Sequence, residues 1–268
     1  MSSRRESASR YRQLVWLAAV SEWRRRYSDS ILGYVWMLLQ PLMLFGILYL
    51  VFTRIVRFGG EVYAYPMMLL LNIVLFRYFA ESTGRSVRSL VSRSGLIRKL
   101  RFPRSMLPAA GVLASTLTLF GSLTVWLVWT LAYGIEPMTT WLLLPVVIGA
   151  LAGITYAISL LLAGLYVPVR DVSQAWTPLN RVLFYASPVI FPIELVPEGI
   201  LRTVAGLNPL TPIFVQARVW LIDPNAPTWL EASSGPMAAA LPFIVALAII
   251  AAAYVVFNRY SARVAEVA

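Results

Sequence analysis

Long apolar runs separated by short polar stretches set the pattern of this chain. A helix needs about 20 mostly apolar residues to cross the hydrocarbon of a bilayer. Six runs fit that length, at about 33–53, 64–82, 106–133, 141–167, 172–193 and 237–257. Gln40-Pro41 lies inside the first and predicts a kink, which membranes tolerate when neighbours re-satisfy the backbone. The third and fourth are long and clean. The fifth is poorly apolar, with Gln174, Asn180, Arg181 and several prolines in it. Between the fifth and sixth lie two apolar pieces too short to cross, Gly199–Leu207 and Leu210–Ile222, separated by Asn208-Pro209. They read as re-entrant or interfacial helices, a geometry allowed only where the backbone is buried in protein or lines a cavity.

Ahead of the first run the pattern changes. Residues 1–10 are polar and rich in Ser and Arg, the composition of a disordered tail. In Tyr11–Tyr27, Trp16, Val20, Trp23 and Tyr27 recur at spacings of four, three and four, which is one helix face. Arg10, Arg12, Arg24, Arg25 and Arg26 supply the cationic remainder. Trp with Arg on an amphipathic helix suits the membrane interface, with the helix flat on the cytoplasmic leaflet. Packing on a partner is the alternative, and both can hold. The expected organisation is a tail and interface helix at 1–30, a transmembrane domain at 31–258 and a tail at 259–268.

Charge orients the scheme. The loop Arg85–Arg104 carries Arg85, Arg88, Arg93, Arg98, Lys99, Arg101 and Arg104, with no acid. Short loops rich in Lys and Arg resist translocation, so this one belongs in the cytoplasm. Both termini then lie inside too. Inside segments hold most of the 23 Lys and Arg, while the outside ones hold only Arg54, Arg57, Arg202 and Arg218. Within the loop, Gly95–Phe102 resembles a short helix stopped by Pro103. Leu96 and Leu100 share one face, with Arg98, Lys99 and Arg101 off it. It reads as a docking surface for a cytoplasmic partner; a solvated loop that only fixes topology is the plainer alternative.

Composition narrows the chemistry. The chain is 59% hydrophobic, against about 45–50% for soluble domains. Its net charge of +11 is explained by the inside loops and anionic inner-leaflet lipids, and no nucleic-acid-reading module is visible. Without Cys or His there are no disulfides, thiol nucleophiles or His-ligated metals. The single Lys, Lys99, sits in GLIRK, which is not a phosphate-binding G-x-x-x-x-G-K-[ST] loop. Any ATP and its Mg must therefore be held by another subunit, and no cofactor of the chain's own is expected. Residues 1–30 are too basic and interrupted for a cleavable signal peptide. No internal repeat supports an inverted-repeat transporter. A membrane-embedded transferase would need a His or a carboxylate in a cleft, and no acid pair stands at a membrane boundary.

Charges inside the spans are the candidate site. A cation at a helix centre costs about 2.5–3.5 kcal/mol on insertion scales, so it should face a polar path or a partner. Arg181 lies ten residues past Asp171, roughly 15 Å along a helix and near mid-membrane, beside Asn180. It is expected on a translocation path meeting an anionic headgroup; pairing inside the bundle is the alternative. Arg77, nearer the inner end of its span, fits the same path or snorkels to the interface. Aromatic faces such as Tyr34, Tyr78 and Tyr185 suit a sugar-conducting channel, although belts and packing explain most such residues.

The stretch Arg25–Leu42, RRYSDSILGYVWMLLQPL, resembles the signature of ABC-2-type permeases that export polysaccharides or polyol phosphates. Arg26, Tyr27, Ser30, Leu32, Gly33, Trp36, Leu39, Pro41 and Leu42 carry the likeness. LIRKLRFPR, Arg170-Asp171, Ser187-Pro188 and Asn208-Pro209-Leu210-Thr211 match further family positions in order. The resemblance implies an all-α membrane fold of six spans that forms a homodimer and pairs with two copies of a nucleotide-binding ATPase. It implies an interface helix bearing Trp16, Trp23, Arg24, Arg25, Arg26 and Tyr27, and coupling through Leu96, Arg98, Lys99, Leu100 and Arg101. It also implies external gate helices around Asn208 and Pro209. The implied cargo is a long glycan or teichoic-acid-like polymer on polyprenyl pyrophosphate, crossing a bacterial inner membrane. An ABC-2 exporter of a drug or small lipid shares the fold and differs only in substrate. The coupling stretch is Arg-rich and acid-poor, so a partner groove would need complementary acids.

Overall fold

The structure, a computed structural model, describes residues 2–27, 33–57, 62–93, 95, 102–197 and 199–264, the side chains of 2–10 and 34 excepted. Helices make up most of it, and no strand occurs among the described residues. In chain order these are α1 (Ser2–Tyr27), α2 (Gly33–Leu50), α3 (Tyr65–Ser86), α4 (Met106–Ala132), α5 (Leu144–Leu165), α6 (Val172–Ala186), α7 (Ile200–Leu207), α8 (Thr211–Leu221), α9 (Trp229–Ala232) and α10 (Pro236–Ser261). A π-helical turn, Val51–Ile55, extends α2, and a 3₁₀ turn, Thr139–Leu143, leads into α5.

Among the described residues, four stretches are long and apolar enough to cross a membrane: Val35–Ile55, Met106–Ala132, Thr139–Leu165 and Pro236–Ser261. The two other expected spans differ for identifiable reasons. Helix α3 has 22 residues but carries Arg77, Glu81 and Arg85. Helix α6 has 15 residues, about 22 Å, against about 30 Å of hydrocarbon. The fifth run was expected to continue to Ile193; helical geometry instead stops at Ala186. Residues 187–192 form turns and bends, and Ser187, Val189 and Ile190 are buried. Their backbone is satisfied from α3: Asn72 Nδ2 donates to the Pro188 carbonyl at 2.9 Å and Tyr65 Oη to that of Ile190 at 3.0 Å. Non-helical backbone at depth is tolerated in this way, enclosed in protein.

Helix α3 is the hub, with 16 of its 22 residues buried against α2, α4, α5 and α6. Trp126 of α4 is buried and donates its indole N–H to the Met67 carbonyl at 3.1 Å. Helix α10 packs along α5, and the two backbones nearly touch at Gly164. A Cβ there would lie 3.1 Å from Phe257 Cα, so any larger residue would have to push the two helices slightly apart.

Connectivity gathers the C-termini of α3, α5 and α10 with the N-termini of α4 and α6 at one end of the bundle. Arg85, Arg88, Arg93, Arg104, Arg170 and Arg259 collect there, and we call it the basic end. Helices α7 and α8 lie at the opposite end, where the buried stripe Leu210, Phe214, Ala217 and Leu221 anchors α8 in the main core.

Candidate functional site

At the basic end, α1 packs along the first half of α4. Ala19 meets Ala110 and Ala114, small residues that let two helix backbones come close. Polar contacts follow the seam: Tyr11 Oη to Ser105 Oγ at 3.4 Å, Arg26 Nη1 donating to Ser115 Oγ at 3.1 Å, and Tyr27 Oη to Thr118 Oγ1 at 3.2 Å. The seam advances along both helices in the same direction, so α1 lies against the bundle as well as presenting an outer face. Its buried stripe is Val15, Ala19 and Tyr27, with Trp23 and Arg26 half-buried; Trp16, Arg24 and Arg25 face outward. The Trp16-Val20-Trp23-Tyr27 face is therefore graded, from exposed at Trp16 to buried at Tyr27. The start of α2 lies close to the end of α1. A Cβ at Gly33 would fall 2.6 Å from the Tyr27 carbonyl oxygen, which explains the Gly of the Leu-Gly pair.

The central contact of this end is Glu22. One carboxylate oxygen accepts Arg26 Nη2 at 2.8 Å and the other accepts Arg93 Nη2 at 2.7 Å. Burial works against the ionised carboxyl, but the hydrogen bonds and charges of Arg26 and Arg93 outweigh it and hold its pKa below the usual carboxylate value. Glu22 thus ties α1 to the short 3₁₀ turn Val91–Arg93, which opens the basic loop. The expected coupling residues Leu96, Arg98, Lys99, Leu100 and Arg101 lie outside the described residues. Arg88 and Arg104 make further ties here, donating to Ser173 Oγ and to the Ser261 carbonyl.

Five of the six expected path residues separate into three groups, and Tyr34 stands apart. Arg77 donates to Gln40 Oε1, pairing the cation of α3 with the amide beside Pro41 of α2. Tyr78 is buried in the single chain, and its hydroxyl accepts a hydrogen bond from Thr116 Oγ1 of α4 at 3.2 Å, so it packs in the α3–α4 core. Arg181 and Tyr185 stand on the outward face of α6, with Tyr185 62% exposed. Arg181 makes no ion pair or hydrogen bond among the described residues. Asn180, beside it, is half-buried and its Oδ1 finds no partner. Helix α6 holds to α3 by its other face, where Phe184 packs edge-on to Phe76 and Trp176 Nε1 donates to Thr83 Oγ1 at 3.2 Å. For Tyr34 the structure describes the backbone only, within α2.

At the opposite end, Asn208 Nδ2 donates to Ser187 Oγ at 2.7 Å, and Asn208 Oδ1 accepts the Leu210 N–H at 3.0 Å. Two motifs 21 residues apart thus meet, so the turn before α8 is fastened to the end of α6. Thr211 Oγ1 closes the α7–α8 turn on the Ala205 carbonyl at 2.7 Å. Arg218 of α8, which the sequence reading left as an external cation without a role, is nearly buried. It bonds both Glu194 oxygens at 3.2 Å and reaches Asp223 Oδ2 at 3.6 Å. Arg202 donates to the carbonyls of Glu194 and Val196, which sets the 193–196 turn against α7. Sequence reading also missed Glu22, Gln40 and Asn72. Only Glu22 left a local signal, an acid four residues before Arg26 in a basic helix.

Comparison with known proteins gives a consistent result. The family model described as ABC-2 type transporter matches residues 13–222. The chain is 27% identical over 218 residues to the O-antigen export system permease protein RfbA of Myxococcus xanthus, covering 81% of this chain and 83% of that protein. It is 26% identical over 194 residues to the O-antigen export system permease protein RfbA of Klebsiella pneumoniae, covering 72% and 74%. The matched stretch includes the Glu22 contacts, the α2–α3–α6 group and the Asn208 turn.

Proposed function

Because the chain belongs to the ABC-2 type transporter family, we propose that it is the permease subunit of an exporter that moves a lipid-linked polysaccharide across the cytoplasmic membrane. The observation that carries this reading is the similarity to O-antigen export permeases over most of both chains. The cargo is a long glycan of the O-antigen or teichoic-acid type on a polyprenyl pyrophosphate anchor. The working unit is a homodimer with two ATPase subunits, which bind the ATP and Mg for which this chain has no phosphate-binding loop.

In this reading α3 and α6, with its non-helical continuation, cross the membrane beside the four apolar spans, and the basic end faces the cytoplasm. Helices α7 and α8 are then the external gate. ATP-driven closure of the partner subunits presses on the loop holding Leu96, Arg98, Lys99, Leu100 and Arg101. The ion pairs of Glu22 carry that displacement into α1 and so along α4. The outward faces of α2 and α6 turn towards the second copy, and the path opens between them. Arg181 supplies a cation for the pyrophosphate, with Asn180 beside it and Arg77 held by Gln40 behind. Tyr185 offers an aromatic face on which sugar rings slide. Support comes from the exposure of Arg181 without a partner, since an intramembrane cation of this kind needs an anion or water. The gate is fastened to α6 through Asn208 and Ser187, so movement of α6 reaches it directly.

Deleting the chain from its host tests the function. Lipid-linked polymer should accumulate inside the cell and its surface form should disappear; normal surface polymer would reject the reading. Reversing charge at Arg98, Lys99 and Arg101 together should leave partner ATP hydrolysis running while export stops. Normal export by that triple variant would reject the docking role.

A further inference from the structure

Helices α5 and α10 touch closely near the basic end but leave space at the other. There α8 and α9 close over a cavity of about 340 Å³, within the range of roughly 300–1,000 Å³ typical of ligand sites. One wall is Val146 and Ala150 of α5, the other Phe243 and Ala246 of α10, and the roof includes Pro209 and Gln216. The lining is apolar apart from the Gln216 amide and the edge of the Trp220 indole. Trp229, at one edge, uses its indole N–H on the Ala239 carbonyl at 3.0 Å and presents only its ring. Prolines supply three lining positions and have no N–H to offer. Nothing here asks for a polar ligand; the groove suits a hydrocarbon chain.

Its mouth identifies the source of that chain. Phe243 is 56% and Val146 55% exposed, and the opening runs without a polar break into Ile244, Leu247 and Ile250 on the outer face of α10. Both helices are long and apolar enough to cross a membrane, so in the reading proposed above this exposed apolar face meets the bilayer, and the groove opens onto it. Arg181 and Gln40, by contrast, stand on α6 and α2, which pack on α3, whereas the groove lies on the α10 side of α5. We propose that this groove seats one fatty-acyl chain of a bilayer phospholipid against the Asn208-Pro209 turn. Lipid tails are as apolar as the groove, so selection comes from shape and packing and not from transfer out of water. The chain fills a void that would otherwise forfeit packing on every wall. Because Pro209 forms part of the roof, the occupant braces the gate turn. This site is separate from the proposed polysaccharide path and stands whatever the cargo.

The test uses the full chain in lipid nanodiscs containing a phosphatidylcholine with a diazirine on one acyl chain. After irradiation, mass spectrometry should place label on peptides around Val146, Gln216 and Phe243 in excess over Tyr254 on the open face of α10. Ala246→Trp fills the groove from α10 and should abolish that excess while label at Tyr254 persists, which shows that the helix still lies in the bilayer. Ala150→Phe fills it from the opposite wall and should do the same. Label spread evenly over groove and open face, or an excess unchanged in both variants, overturns the proposal. So does groove labelling by an isoprenoid diazirine that added phospholipid fails to compete away.

Discussion

Replacing Glu22 with Gln removes the negative charge from a contact that holds α1, α4 and the start of the basic loop together. The side chain of Arg26 is only 6% exposed, that of Glu22 17%, and that of Arg93 28%. Removing one partner of a buried ion pair costs about 3–5 kcal/mol, because the other charge is left without compensation. Two features reduce that figure here. Water re-solvates Arg93, and Arg26 keeps its bond to Ser115 while the Gln carbonyl still accepts one hydrogen bond. About 2–3 kcal/mol remains, just below the range for leaving a fully buried charge uncompensated. At about 2–4 °C per kcal/mol for a chain of this size, the midpoint of thermal unfolding in detergent should fall by about 5–10 °C. The dependence on pH gives a sharper check. The folded-state pKa of Glu22 lies below the ordinary 4.5, so its contribution is complete above that value and is lost as pH falls through the folded pKa. The gap between the natural protein and Glu22→Gln should therefore close on acidification. An unchanged midpoint at neutral pH, or a gap that persists once the carboxyl is protonated, would refute the reasoning.

Two further substitutions probe the opposite end. Arg218→Met leaves Glu194 and Asp223 without their cation and should destabilise by about 3 kcal/mol in thermal unfolding, with Arg218→Lys intermediate because a single ammonium cannot span both acids. Asn208→Ala removes the bonds to Ser187 and to the Leu210 N–H, about 1 kcal/mol each; hydrogen exchange should accelerate across 199–222 and stay unchanged in α3.

Much of the fold was legible because bilayer thickness and helical rise dictate how long an apolar run must be. The limits of α4 follow from composition almost residue by residue, and α10 starts within one residue of the expected position but runs four residues further, to Ser261. Helix α6 was misjudged because Val189, Ile190 and Phe191 prolong the apolar run past the point where Ser187-Pro188 ends the helix. The side chains that satisfy the freed carbonyls, Tyr65 and Asn72, lie more than a hundred residues away in sequence. The hub role of α3 was equally hidden. Its Ser82, Thr83 and Ser86 look like a polar margin by composition, yet they are buried in helix contacts. At the site, Arg181 and Asn208 could be singled out as unusual residues in apolar surroundings. Their settings could not: an unpaired cation on an outward face, and an amide fastened to Ser187, depend on tertiary packing. The burial of Tyr78 against Thr116 was hidden because an aromatic residue in a span gives no sign of which side it faces.

The account rests on this chain being moved by nucleotide chemistry performed elsewhere. The most direct measurement is translocation of lipid-linked polysaccharide in proteoliposomes containing the purified chain, with and without its partner ATPase. Translocation should require the partner and hydrolysable ATP together, and should stop when the partner's hydrolysis is blocked. Sustained translocation by the chain alone would contradict it.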